Sequence, residues 1–358
     1  MIGSMMALAV VTLLLVTAGV MYQLVGARRD ARRYPPPGTL IDLGGRSLHV
    51  VCAGSGRPMV LFESGIAASS LSWTRVLRDV AAFTSGCAYD RAGLGWSDPS
   101  RVSLRFATML DELRAVLGHG AGAAPAVLVG HSFGALLVCA HASRHPEETA
   151  GIVLLDPPSE WQAFTRQQRW RLRGGIHLSR LGGLLARLGV VRACLALLTG
   201  GAPGVPRNVA RLLGPAASRE LEHLVGEVRK LPPDVHPLVQ TLWCRPKCFR
   251  SMAQHLASLE EAAASVNEIA ALPQVPLVVI SSGDQSAAVI DRHRQLARLS
   301  PKGRHVIAAR SGHWIQFDEP ELVVAIIRET VERARSTQAE GPAATADRGR
   351  PPATTSRV

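Results

Sequence analysis

The chain has 358 residues, 47% of them hydrophobic, which is enough for one large α/β domain with an insertion or for two domains. Forty Lys and Arg against 28 Asp and Glu leave a net charge of +12. Only 4% of residues are aromatic and no nucleic-acid motif is found, so a base-stacking platform is excluded and nucleic acid is not an expected partner.

Met5 to Val25 is almost uninterrupted apolar sequence. About 20 residues at about 1.5 Å each cross a bilayer core, so residues 1–26 read as a transmembrane anchor. No positive region precedes the run and it exceeds the usual apolar length of a signal peptide, although Thr17-Ala18-Gly19 also fits a cleavage site. Arg28, Arg29, Arg32 and Arg33 follow, which places the following domain on the cytoplasmic side of a membrane. Residues 27–38 form a basic linker stiffened by Pro35-Pro36-Pro37.

Thr39–Leu43 and Ser47–Cys52 alternate as strands around Gly44-Gly45. Met59–Glu63 is a short strand, Ser69–Phe83 has helical spacing, and Cys87–Asp90 is a strand. Ser103 is placed to cap a helix reaching Leu117. The Ala126–Val129 strand leads through Gly130-His-Ser-Phe-Gly134 into a helix ending near Pro146, and the Gly151–Leu155 strand ends in Asp156. Residues 157–272 break this rhythm: Arg-rich, helical in pattern and without a strand run, they read as an insertion. Pro276–Ile280, a helix from Ala288 to Leu299 and the His305–Ala309 strand resume the order. In the final helix, Asp318 and Glu321 are spaced for a capping box, with Pro320 in the first turn. Residues 336–358 have the composition of a disordered tail.

Alternating helices and continuous apolar strands predict a mostly parallel sheet covered on both faces, built from residues 39–156 and 273–335. Six cysteines without a C-x-x-C pair suit a reducing compartment, with Cys52, Cys87 and Cys139 in apolar segments as buried small hydrophobes. The Cys244/Cys248 spacing suits a disulfide or a metal, but no paired Cys/His cluster supports a zinc site, and no cofactor is called for.

Strand, G-x-S-x-G and helix together make a nucleophile elbow: the tight turn lifts the Ser132 hydroxyl from the sheet, and glycines two residues either side avoid collision with the neighbouring strand and helix. Such a serine needs a base to take its proton. His313, just after the last strand, occupies the late position that a Ser, acid, His chain order requires. The acid is Asp284, with Asp156 as the alternative; both follow strands. The backbone N–H groups of Phe133 and Ile66 are the expected oxyanion donors.

The sequences Glu63-Ser-Gly-Ile66, Tyr89-Asp-Arg-Ala-Gly-Leu-Gly-Trp-Ser-Asp98, Gly130–Gly134 and Ser311-Gly-His-Trp314 resemble the α/β-hydrolase fold superfamily from Thr39 to Arg335, near small esterases and proline iminopeptidase-like hydrolases. The resemblance implies an eight-stranded sheet with a helical cap inserted after the sixth strand. It implies a serine hydrolase acting on an acyl ester, thioester or amide, which the apolar N-terminal segment would anchor in membrane lipid. Two departures stand out: Ser64-Gly65 replaces the His-Gly of many members, and Asp284 directly follows Gly283. Relatives with haloalkane dehalogenase or epoxide hydrolase chemistry carry aspartate where Ser132 stands. The same triad also serves carbon–carbon cleavage or acyl transfer, and such a fold can bind without catalysing.

Overall fold

The computed structural model describes residues 2–122, 124–158, 164–199 and 227–339. Eight strands form one sheet: β1 (Thr39–Asp42), β2 (Ser47–Ala53), β3 (Val60–Glu63), β4 (Gly86–Tyr89), β5 (Ala126–His131), β6 (Thr149–Leu155), β7 (Leu277–Ser282) and β8 (Gly303–Ala308). Their spatial order is β1-β2-β4-β3-β5-β6-β7-β8. Only the β1/β2 and β2/β4 pairs are antiparallel. The central strands bury both faces, and their two-residue period sorts side chains into two layers. Leu61, Leu128, Ile152 and Val279 pack with the apolar face of α3 (Phe106–Gly120) and with α4 (Phe133–Arg144). Phe62, Val127, Val129 and Ile280 pack on the other side against α2 (Thr74–Val80) and the last helix (Pro320–Ala339).

Several elements differ from expectation for local reasons. Ser69–Phe83 splits into a 3₁₀ turn (Ser70–Trp73) and α2. Helix α3 starts at Phe106 with Arg105 at its N-cap, since the Ser103 carbonyl accepts from Arg105 N–H and no side chain caps the helix. The Asp318–Glu321 capping box is absent: the Asp318 carboxylate accepts from Gly312 N–H and pairs with Lys230, while Glu321 pairs with Arg75. Pro320 does open the final helix, which continues through Ala339, so Ser336 begins no disordered tail; residues 340–358 lie outside the described residues.

Cys52 and Cys87 face each other in the β2/β4 register and form a disulfide, which overturns their reading as two buried thiols. Cys139, Cys244 and Cys248 are buried free thiols, and burial pushes Cys139 and Cys248 up to about 12.

Between β6 and β7 the described residues are helical. Helix α5 (Arg166–Arg187), opened by a Thr165/Gln168 capping box, packs on α8 (Pro246–Ala257), with α6 (Val190–Thr199), α7 (His236–Trp243) and α9 (Leu259–Asn267) around them. Gly182 is required there: a Cβ would stand 2.5 Å from the Phe249 ring. The N-terminal helix α1 runs from Ile2 to Arg33, beyond the expected end at residue 26. Its first part is bare and apolar, and it is the one helix among the described residues long and apolar enough to cross a membrane. From Gly19 onward it packs on the insertion: Gly19 meets Leu188, Gln23 donates to the Cys244 carbonyl, and Asp30 pairs with Arg192 at 2.6 Å.

Candidate active site

The carboxyl ends of β3, β5, β6 and β7 lie side by side. Glu63 pairs with Gly130, His131 with Leu155, and Leu155 with Ile280, so the residues just beyond these strands are neighbours. Ser132 sits at φ 52° and ψ −122°, between the end of β5 and the start of α4. For a non-glycine residue this costs of order 1–3 kcal/mol, and the surroundings hold it: Ser132 N–H donates to the Leu155 carbonyl. The flanking glycines are obligatory. A Cβ on Gly130 would lie 2.7 Å from Ala135 Cα, and one on Gly134 would lie 2.5 Å from the Glu63 carbonyl oxygen. Phe133 is the first residue of α4, so its N–H has no acceptor within the helix.

Asp156 also has positive φ, 41°, which turns its side chain across the strand end. Its Oδ2 lies 2.7 Å from His313 Nδ1. Ser282 N–H and the Gln285 amide donate to the same carboxylate. Burial pushes the Asp156 carboxyl up, but its bond to and attraction by His313, with those donors, outweigh burial and hold it below the ordinary value. The favoured acid of the sequence, Asp284, is therefore not the carboxylate on His313. Asp284 is exposed, and its Oδ1 accepts from the Ser282 hydroxyl at 2.7 Å, which directs it away.

His313 lies in the loop after β8, half-exposed, with Nδ1–H donating to Asp156, so Nε2 is the bare nitrogen. His131, beside the serine, secures this loop. Its Nε2–H donates to the His313 carbonyl at 2.9 Å and its ring packs on His313 and Trp314 at 4.8 Å each. Burial lowers His131 to about 3, so it is neutral across the physiological range.

Ser64 and Gly65 follow β3 and press against the elbow: a Cβ on Gly65 would stand 3.4 Å from Ser132 Cβ. Ile66 comes next, and its N–H finds no acceptor among the described residues. Ile66, Leu71, Leu231, Val239, Trp314 and Phe317 line a small apolar cavity of about 70 Å³. A larger groove of about 490 Å³ lies between Arg105, Arg180, Arg187 and Arg250 and touches none of the site residues. The smaller cavity is bordered by Ile66, the expected oxyanion donor, and by Trp314, the residue after His313.

Sequence reasoning passed over three groups at this site. Gln285 braces Asp156. Glu63, Tyr89 and Arg91 form a buried network under the Ser64-Gly65 loop, and both stretches were noticed as motifs without being joined. His255 is fully buried on the insertion with its ring 5.8 Å from Phe133.

Residues 58–189 match the family described as the alpha/beta hydrolase fold. This match, the sheet order and the elbow support placing the chain in the α/β-hydrolase superfamily. It is 33% identical over 104 residues to YqjL of Bacillus subtilis, 29% of this chain and 41% of that protein. It spans only 56% of a second Bacillus subtilis relative, YbdG. It is 27% identical over 311 residues to a haloalkane dehalogenase of Sphingobium indicum, covering 82% of this chain and 95% of the dehalogenase. The enol-lactonase structure from Burkholderia xenovorans LB400 superposes with TM-score 0.58 at 15% identity, covering 82% of this chain and all of that one.

Proposed function

We propose that the chain is a membrane-anchored serine hydrolase that cleaves an ester, thioester or amide through an acyl-enzyme. The observation that carries this reading is Ser132 on its strained turn next to His131, which holds the His313 carbonyl, with the His313 Nδ1 held by Asp156 at 2.7 Å. In this scheme His313 Nε2 takes the hydroxyl proton as Ser132 Oγ bonds to the acyl carbon. The N–H groups of Phe133 and Ile66 receive the oxyanion. His313 then passes the proton to the departing group as its bond to the acyl carbon breaks. Water, deprotonated by His313, attacks the ester, and Ser132 regains its proton. Asp156 keeps the imidazole in the productive tautomer and balances its charge.

The nucleophile's chemistry separates this chain from its dehalogenase relative. Displacement of halide by a carboxylate leaves an ester that water can open. Displacement by a serine would leave an ether, which water does not cleave under the same conditions. Ser132 therefore favours acyl transfer over dehalogenation. The apolar lining of the cavity beside Ile66 and Trp314 favours an apolar group on the substrate.

The bare apolar half of α1 supports insertion in a bilayer. The arginines at its end argue for a cytoplasmic domain, whereas the Cys52–Cys87 disulfide argues for an oxidising compartment. We place the domain on the oxidising side, because the disulfide belongs to the folded sheet itself. Thiol trapping in intact cells checks the placement: Cys52 and Cys87 unreactive until reduction fits it, and two free thiols return the domain to the cytoplasmic side.

Turnover of p-nitrophenyl esters of increasing acyl length by the full chain in nanodiscs tests the activity. Hydrolysis of acyl esters that vanishes in Ser132→Ala is the expected result. Equal hydrolysis by Ser132→Ala would remove the reading.

A further inference from the structure

We propose that Arg91 is a positioning residue that sets both donors of the oxyanion site at once; this rests on the serine-hydrolase reading above. Arg91 is buried beneath the elbow. One edge of its guanidinium donates to the Ser64 carbonyl at 2.6 Å and to the Gly65 carbonyl. In a planar trans peptide the C=O and N–H point in opposite directions. Holding the Gly65 carbonyl toward Arg91 therefore aims the Ile66 N–H the other way, out of the loop. The same cation stands over the Phe133 ring at 5.3 Å, and Phe133 carries the other donor. A single rigid group thus touches the peptide that carries the Ile66 N–H, through the Gly65 carbonyl, and the ring of the residue that carries the other donor.

The supporting network fits this role. Glu63 ends β3, accepts from Arg91 and also from the Tyr89 hydroxyl, so the guanidinium is neutralised and oriented from below. Carbonyls bound to a cation polarise their peptides, which strengthens the N–H on the far side. Arginine is needed because a planar fork can hold two carbonyls and a carboxylate together, whereas the lysine ammonium is a point charge on a flexible stem.

Two variants of the full chain test the assignment. Arg91→Lys keeps the charge and loses the fork. Arg91→Met with Glu63→Gln removes both charges, so that no lone ion is left buried if the first variant folds poorly. Each is measured for p-nitrophenyl butyrate kinetics and for affinity toward phenylethylboronic acid, whose serine adduct places an oxygen in the oxyanion site. Values are taken per folded molecule, from the near-UV circular dichroism. Deleting one oxyanion donor outright costs about 10²–10³ in kcat, so displacing it is expected to lower kcat by about 10- to 100-fold. KM stays within about twofold, and boronate affinity falls by the same factor as kcat. Folded variants with wild-type kcat and boronate affinity, or losses that track only the unfolded fraction, would overturn the proposal. A wild-type chain that neither turns over nor binds the boronate would instead defeat the serine reading itself.

Discussion

The strand ends and the helical insertion solve opposite problems. At the strand ends backbone geometry is tightly dictated: Gly130 and Gly134 have no room for a side chain, and a Cβ on Gly65 would crowd His131 at 3.1 Å. The insertion is the reverse. Helix α5 buries only Ser179 and Ala186, and leaves Trp170, Leu178, Leu181 and Leu184 exposed between arginines. Chemistry needs fixed atoms, and a sheet buried on both faces supplies them.

The largest effect that could break this contrast falls on the acid. Asp156→Asn is expected to lower kcat/KM by about 10⁴-fold, because the amide holds the wrong imidazole tautomer, while Asp284→Asn stays within about twofold. Steady-state kinetics of the pair decide between them, and the opposite ranking would restore Asp284. Next in size is Gly134→Ala, whose methyl would stand 2.5 Å from the Glu63 carbonyl oxygen. It is expected to destabilise the chain by about 1–3 kcal/mol in urea unfolding and to reduce turnover per folded molecule.

Acid sensitivity sharpens the contrast where the two regions meet. Burial holds His131 near 3 and His141 near 4, and lowers His255 well below its ordinary value. Their unfolded counterparts bind protons below about pH 6.5, so the unfolded state gains protons first. Stability is therefore expected to fall as pH drops from about 6.5 toward 4. His255→Phe should flatten that decline, seen as a smaller drop in Tm between pH 6.5 and 4.5; an unchanged slope would mean that His255 does not contribute. The smallest effect belongs to the outer face of α5: Leu181→Ser is expected to leave kcat/KM within about twofold, as befits an exposed position away from the site.

Much of this was legible in the sequence. The continuous apolar strands marked a two-sided parallel sheet, and G-x-S-x-G between strand and helix located Ser132. The late loop located His313. What was not legible depends on side chains arriving from distant segments. Asp156 and Asp284 both follow strands, and no local signal told that Asp156 adopts φ 41° and turns to the imidazole while Asp284 turns back to Ser282. The link from Arg91 to Gly65 spans 26 residues and rests on β3 and β4 being neighbours. The Cys52–Cys87 pair likewise follows from the β2/β4 register, which spacing alone does not give. Capping at Asp318 failed because Gly312 N–H and Lys230 take its carboxylate.

In the proposed mechanism His313 and Asp156 activate Ser132. Its most direct test is labelling of the full chain with a fluorophosphonate probe, comparing wild type, Ser132→Ala, His313→Ala and Asp156→Asn at equal folded concentration. Rapid labelling of wild type, none of Ser132→Ala, and labelling slowed by orders of magnitude in the other two are expected. Folded wild type that stays unlabelled, or labelling that persists in Ser132→Ala, would contradict it.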